Sequence, residues 1–479
     1  MRRTSSVIAV VFFLAATGVR AQDDDIASRI AGAAISRGGA AAFLETLTDT
    51  VGGRVTGSPQ CRAASDLILA ALKRAGYDGA RFEEYALESR WARGPAEGRV
   101  VSPVEQAIHV GSYAWVPGTA GEVRATLVDL GAPVSSDLTL PAERIHGAAV
   151  LVDPQKVGSD PSFVMRAVIA RRLARAGASA MLIPSDKPHR MLYTSAYGFY
   201  PRGPLPVLSV AREDALLLRR LLAKGAVTLA LDVRNRFDTA TYRERNVVAD
   251  LRGSASPEEI VLVGAHYDSW DPAQGANDDG SGVAAVLDAA RILKSLNVAP
   301  RRTIRFAFFS GEEEGVLGSR AYVAAHEKEL DRLRAVLVMD EGAQAPRGIQ
   351  THGRKDVTNS LAKVLAPLAP FGATGLSLDA TFDQDHAPFL AAGLPAFTLW
   401  VDPGEYDVHH HAITDTFDKV DPRMLAIDTA VLAIAARALA DAAEPIGRRL
   451  SPAETAELLK TTGVESTRRM VYEPGAPKE

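Results

Sequence analysis

Three short runs in the second half of the chain, Ile260-Val261-Leu262-Val263, Thr303 to Phe309 and Ala335-Val336-Leu337-Val338-Met339, are apolar almost throughout. A strand with one wet face alternates apolar and polar residues, so runs without alternation have to be buried on both faces. A largely parallel sheet covered by helices provides that environment. Helical stretches at 282–296 and near 318–332 separate the runs. The expected fold is therefore α/β, a mixed, mostly parallel sheet with helices on both faces. In such sheets ligands collect in the crevice beyond the carboxyl ends of the strands. Each run leads there into polar residues: Gly264-Ala265-His266-Tyr267-Asp268, then Ser310-Gly311-Glu312-Glu313, then Asp340-Glu341-Gly342.

Two further segments carry the same kind of side chain. Gly275-Ala276-Asn277-Asp278-Asp279-Gly280 opens a helix, and His409-His410-His411 follows an extended run that ends at Trp400. Histidine with carboxylates and no cysteine is the ligand set of a catalytic zinc or a related divalent ion. Cys61 is the one cysteine, so thiolate-rich structural zinc and an internal disulfide are both excluded. Leading into an apolar-periodic helix, Cys61 reads as structural. Any one of these Asp or His residues alone would read as a hydrogen-bonded or capping group. Five segments converging on one crevice need another explanation, because adjacent acids such as Glu312 and Glu313 require compensating positive charge and metal ions supply it.

At 479 residues the chain exceeds the size at which a single core stops growing, so more than one domain is expected. Strand-like runs between 118 and 236, without a cluster of metal or acid/base residues, mark a unit of their own there, with a binding, gating or structural role. The remaining division is 26–117 and 237–445 as two parts of one domain, followed by a polar tail over 446–479 whose end reads as disordered. Lys+Arg 54 against Asp+Glu 58, without a basic block, argues against nucleic acid as a partner. Arg2 and Arg3, the apolar run Val7 to Ala16 and the small-residue site Val19-Arg20-Ala21 form a signal peptide over 1–21. The run is too short to span a bilayer, where roughly 20 residues are needed. A secreted or periplasmic protein without stable membrane insertion is expected.

The pattern His266-x-Asp268, Gly275-Ala-x-Asp278-Asp279-x-x-Gly282, Glu312-Glu313-x-Gly315-x-x-Gly318-Ser319, Asp340 and His411-x-x-x-Asp415-Thr416 resembles the dinuclear zinc exopeptidases. Within them, Asp268-Ser269-Trp270-Asp271-x-x-Gln274-Gly275-Ala276 and Met339-Asp340-Glu341-Gly342 are most similar to the carboxypeptidase Q branch, with Asn246-Val247-Val248-Ala249 and Arg54-x-Thr56-Gly57-Ser58 in agreement. The likeness reaches nearly the whole chain up to about 445. It implies a protease-associated domain at 118–236 and two zinc ions as cofactors. It also implies that Asp278 bridges the ions, that His266 and Asp340 complete one site and Glu313 and His411 the other, and that Glu312 is the general base. Asp268, two residues beyond His266, would support that ligand's other ring nitrogen. Asp279 fits backbone capping as well as such a supporting role. The substrate implied is a short peptide or dipeptide; a homodimer stays open.

Other signals carry less. His326-Glu327 lacks the second histidine of the helical zinc motif and reads as a helix face. His409 and His410 lack the spacing to Asp415-Thr416, and Asp385-His386 stays divided between a functional and a structural role. Glu314, a third acid beside the usual pair, departs from the family pattern and leaves the register of base and ligand to be tested. Alternatives to the peptidase of the Q type are an aminopeptidase, a single-zinc glutaminyl cyclase, and a receptor-like relative without metals. The complete ligand set weighs against the last, and a serine hydrolase lacks its Gly-x-Ser-x-Gly elbow.

Overall fold

The protein is described from a computed structural model, which covers residues 25–132, 142–156, 161–198 and 202–473. The signal segment expected at 1–21 and the end of the chain after 473 lie outside the described residues. One eight-stranded sheet has the order Arg81–Leu87, Tyr242–Leu251, Arg302–Phe309, Ser256–His266, Leu333–Val338, Ala396–Val401, Pro346–Gln350, Gly375–Ser377. Its middle is parallel: Ser256–His266 pairs in parallel with both Arg302–Phe309 and Leu333–Val338, and the latter pairs in parallel with Ala396–Val401. The outer strands Arg81–Leu87 and Tyr242–Leu251 run antiparallel.

The uniform apolarity of the central runs is used on both faces. Val261, Val263, Ile304, Phe306, Ala335 and Leu337 point into one core, with the helices Ser281–Ser295 and Pro422–Asp441. Ile260, Leu262, Phe309, Val336 and Val338 point into the other, under Leu317–Ala325 and Ala387–Ala391. Cys61 is fully buried in the first core, and burial raises its thiol well above the usual range. Helix Pro59–Arg74, capped by Ser58, joins the same layer.

A second eight-stranded sheet has the order Gln106–Ile108, Ala96–Ser102, Thr228–Val233, Val123–Gly131, Ala149–Val152, Ala180–Pro184, Val207–Val210, Val110–Ser112. Its strands begin at Ala96, upstream of the boundary expected at 118, because Ala96–Ser102 pairs with Thr228–Val233. The stretch 26–117 is thus shared between the two sheets.

The polar tail is ordered into two helices as far as Tyr472. Pro452–Thr461 starts in a capping box formed by Ser451 and Glu454, and Glu465–Tyr472 follows. Their few apolar residues are used economically: Leu459, Val464 and Val471 complete the core under Leu317–Ala325, and Met470 reaches the core of the second sheet. Leu459→Ala is expected to destabilise the protein by about 2–5 kcal/mol through the cavity it leaves. Urea unfolding checks this; a loss below about 0.5 kcal/mol, the range of a surface change, would show that the tail helices are not part of the core.

Candidate metal centre

The chain leaves Ser256–His266, passes to Arg302–Phe309 on one side, and returns to Leu333–Val338 on the other. That reversal opens a crevice at the carboxyl end of Ser256–His266, and His266 is its last residue. His266 Nε2 lies 3.2 Å from Asp340 Oδ1 and 3.3 Å from Asp278 Oδ1. The other oxygen of Asp278, Oδ2, lies 3.0 Å from His411 Nε2, which is also 3.0 Å from Glu313 Oε2. The five residues expected as ligands therefore fall into two sets, His266 with Asp340 and His411 with Glu313, which meet on the two oxygens of Asp278. Glu312 is buried beside them and lines the same cavity of about 520 Å³.

The loops that carry these groups are held by buried polar contacts. Arg54 donates to the carbonyls of Tyr267 at 2.6 Å, Gln274 at 2.7 Å and Gly275 at 2.8 Å, tying the loop after His266 to the one before Asp278. Asp415 accepts from the backbone N–H of Asn277 at 2.7 Å and of Asp278 at 3.2 Å. Asp279 accepts from the backbone of His266 and Gly282, so its carboxylate is spent on the main chain. A Cβ at Gly282 would meet that carboxylate at 2.2 Å, which explains the glycine of the motif.

Asp268 differs in detail from the expectation. Its carbonyl, 3.1 Å from His266 Nδ1, is the nearer acceptor, while the carboxylate lies 3.6 Å away. The carboxylate accepts from the backbone N–H of Glu312 and Glu313, both at 3.3 Å, and so orients the acidic loop. His410 stacks on His411 with ring centroids 3.8 Å apart and stays 3.6 Å from Asp278. His409 bonds Thr414 instead. His326 pairs with Glu83 and Glu329 at a helix end. Asp385 is buried and acts electrostatically on Glu312, while His386 stacks on His352 at 3.7 Å.

Electrostatically the cluster demands cations. Burial pushes Glu312 well above the ordinary carboxylate range, helped by Asp340 and Glu313, and pushes Glu313 up to about 7. Asp278 goes the other way: burial would raise it, but hydrogen bonds from His266 and His411 hold it well below. Glu313 Oε1 is buried without a partner among the described residues. Nitrogen and oxygen donors, an excess of buried carboxylates and an orphaned carboxylate oxygen fit divalent ions of the zinc type.

The second sheet reaches this centre, which no feature of the sequence announced. Tyr193 OH lies 3.0 Å from His411 Nδ1, the partner that fixes a ligating imidazole's orientation, and Thr194 N–H donates to the His411 carbonyl at 2.8 Å. A lone Tyr between two apolar runs carries no motif, so only the chain's path could reveal it.

Glu314 acquires a function of its own. Its carboxyl group accepts from Trp115 Nε1 at 2.9 Å and makes a short hydrogen bond with Thr56 Oγ1. The same Thr56 hydroxyl lies 3.0 Å from Asp268 Oδ2. One hydroxyl hydrogen cannot serve two carboxylates, so Glu314 supplies the second proton, in keeping with burial and the charge of Asp268, which raise it well above its usual range.

Residues 246–435 match the model of peptidase family M28. The chain carries an M28 peptidase domain. Carboxypeptidase Q of Xenopus laevis is 28% identical over 419 residues, covering 85% of this chain and 86% of the relative. The solved M28 peptidase precursor of Shewanella amazonensis is 28% identical with a TM-score of 0.80, covering 90% of this chain and 99% of that one. A zinc aminopeptidase of Bacillus subtilis shares the fold at 23% identity and a TM-score of 0.65, covering 85% and 98%. The M28 domain makes the chain a metallo-exopeptidase.

Glu314→Gln, which keeps a donor for Thr56 and an acceptor for Trp115, is expected to stay within about 1 kcal/mol of wild type, whereas Glu314→Ala should lose about 1–3 kcal/mol by leaving both unpaired. Urea unfolding of the two variants compares them; equal losses would refute the neutral-acid role.

Proposed function

We propose that the chain is an exported exopeptidase that hydrolyses short peptides or dipeptides at a centre for two zinc ions. The observation that carries this reading is the Asp278 carboxylate, whose Oδ1 faces His266 and whose Oδ2 faces His411. A carboxylate shared in this way is what a pair of ions needs as a bridge. His266 and Asp340 would hold one ion, and Glu313 and His411 the other. Bound divalent ions supply polarisation of the scissile carbonyl and a more acidic water. Glu312 receives the proton of the attacking water and passes it to the leaving amine, a task for which its place on the cavity wall beside the metal-holding residues suits it. Asp268 keeps Glu312 and Glu313 in register through their backbone N–H groups. Tyr193 fixes the tilt of His411.

The N-terminal charge and apolar pattern supports export. Among the described residues no helix is long and apolar enough to cross a membrane. The residues of the first sheet, from both sides of 96–233, would form the peptidase domain, with the second sheet as an inserted unit. An aminopeptidase is the second reading. Mass spectrometry of products from free, N-blocked and C-blocked peptides separates the two: tolerance of an N-block and loss on C-blocking support the carboxypeptidase or dipeptidase reading, and the reverse supports the aminopeptidase.

The metal reading predicts two zinc equivalents in the purified protein and loss of hydrolysis on chelation. An active preparation without bound transition metal overturns it. Glu312→Gln should keep both ions and lose about 10²–10⁴ in turnover. Glu313→Gln should weaken one site and recover in part with added zinc. Metal content and single-turnover rates, measured side by side, check the assignment; loss of zinc from Glu312→Gln with retention in Glu313→Gln would reverse base and ligand.

A further inference from the structure

Part of the cavity wall at the metal centre, Thr381, Asp383 and Gln384, comes from a stretch without helix or strand. Backbone groups in such a stretch need partners from elsewhere. At Thr381 two histidines supply them. The Thr381 N–H donates to His352 Nδ1 at 3.3 Å, and the Thr381 carbonyl accepts from His386 Nε2 at 3.2 Å. Both rings are fully buried and stack with centroids 3.7 Å apart and planes 13° apart. His352, just beyond strand Pro346–Gln350, holds a φ of +50°, in the left-handed region that residues with a Cβ rarely adopt. The chain accepts that strain to bring the ring to Thr381.

These contacts fix both tautomers. A nitrogen that accepts an N–H is bare, so His352 carries its hydrogen on Nε2, 3.3 Å from Thr398 Oγ1. A carbonyl only accepts, so His386 carries its hydrogen on Nε2, and its Nδ1 is buried without a partner among the described residues. A further proton would turn His352 Nδ1 into a donor facing a donor, or sit on His386 Nδ1 with no acceptor. Burial lowers both rings, His386 to about 4 and His352 well below its ordinary range, where the neighbouring ring adds to it. Among the described residues no carboxylate acts on either ring. Arg354 is spent on Asp356, Asp379 bonds Ser377, and Asp385, beside His386 in the chain, acts on Glu312. Strand Ala396–Val401 presents the neutral Thr398 hydroxyl.

The grip on Thr381 is passed on. Gln384, three residues along, donates from Nε2 to the Asp340 carbonyl at 3.1 Å, and Phe382 between them is anchored in the core. We propose that His352 and His386 are positioning residues: as a neutral stacked pair they hold Thr381 by both backbone groups, fix the wall at 381–384, and release it when a ring takes up a proton. For its effect on substrate, though not for the release itself, this rests on the exopeptidase reading.

The test uses the full, zinc-loaded protein and hydrogen exchange of the segment 378–386, read by mass spectrometry at about pH 7.5 and about pH 5 and corrected for intrinsic rates. Helix Ser281–Ser295 serves as internal reference. A ring with the ordinary value of 6.5 when released and about 4 when held favours release about tenfold for each pH unit between them. Wild-type protection of the segment should therefore fall by about tenfold or more. The double variant His352→Asn, His386→Gln puts an amide oxygen and an amide N–H in place of the two ring atoms, without a titrating ring. Its protection should change by less than about threefold. Acid loss of zinc would loosen both proteins alike, so an equal fall in the two overturns the proposal, as does a wild type whose segment stays protected. His386→Gln alone removes one titrating ring, should fall less steeply than wild type, and decides the matter if the double variant does not fold; an equal slope overturns the proposal. With Ala-Ala as substrate at about pH 7.5, His386→Leu should raise KM by about 2–10-fold, one hydrogen bond's worth, with kcat within about twofold, and His386→Gln should restore it. A loss in kcat with KM unmoved, or a Gln variant no better than the Leu variant, overturns the positioning role. A wild type that cleaves no dipeptide refutes the exopeptidase reading, and the exchange result then decides the proposal by itself.

Discussion

The Asp278 carboxylate is the interaction on which the rest of the site depends. Its two oxygens are claimed by histidines that arrive from opposite parts of the chain, one at the end of a central strand and one in a loop some 140 residues later. A side chain with that double duty cannot be left to find its own place. Asp415 accepts from the backbone N–H groups of Asn277 and of Asp278 itself, and Arg54 clamps the carbonyls of the loop before it. Buried polar networks are stable only when nearly every member is satisfied. The positions around Asp278 are therefore fixed by hydrogen-bond accounting as much as by chemistry.

The same accounting separates the three consecutive acids. Glu312 faces the cavity, Glu313 faces His411, and Glu314 turns away to bond Trp115 and Thr56. Three carboxyl groups in a row would repel one another if all were charged and buried. Neutralising Glu314 inside a hydrogen-bonded pocket removes one of those charges and ties the loop to Trp115, which packs in a buried cluster with Val55, Trp91 and Trp270. The departure from the family pattern thus strengthens the register of Glu312 and Glu313.

The second sheet is more than a neighbour. Tyr193 and Thr194 hold His411, and Arg166 stands behind Tyr193. Met470 from the C-terminal helix packs into its core, so the tail links both parts of the molecule. Orientation of a ligand and shape of the cavity then both depend on how these two parts meet.

The central sheet, and the segments that bring His266, Asp278, Glu313, Asp340 and His411 together, were legible in the sequence. Runs such as 260–263 and 335–339 have no polar face, so burial on both sides was forced, and the acids and histidines stood at their ends. Glycines at 275 and 282 marked close approaches that any Cβ would block. What the chain alone could not disclose was everything set by contacts between distant segments. Ala96–Ser102 joins the second sheet because Thr228–Val233 offers it an edge, and Val110–Ser112 joins it at Val207–Val210. The polar tail becomes helical because a few apolar residues find cores to complete. Asp268 turns its carboxylate to backbone N–H groups, and Tyr193 and Arg166 reach a centre that lies more than 200 residues from them in places. Periodicity and motif spacing report a residue's local environment. Which neutral Tyr meets a histidine, or which Arg comes to line the cavity, is decided only when the chain has closed on itself.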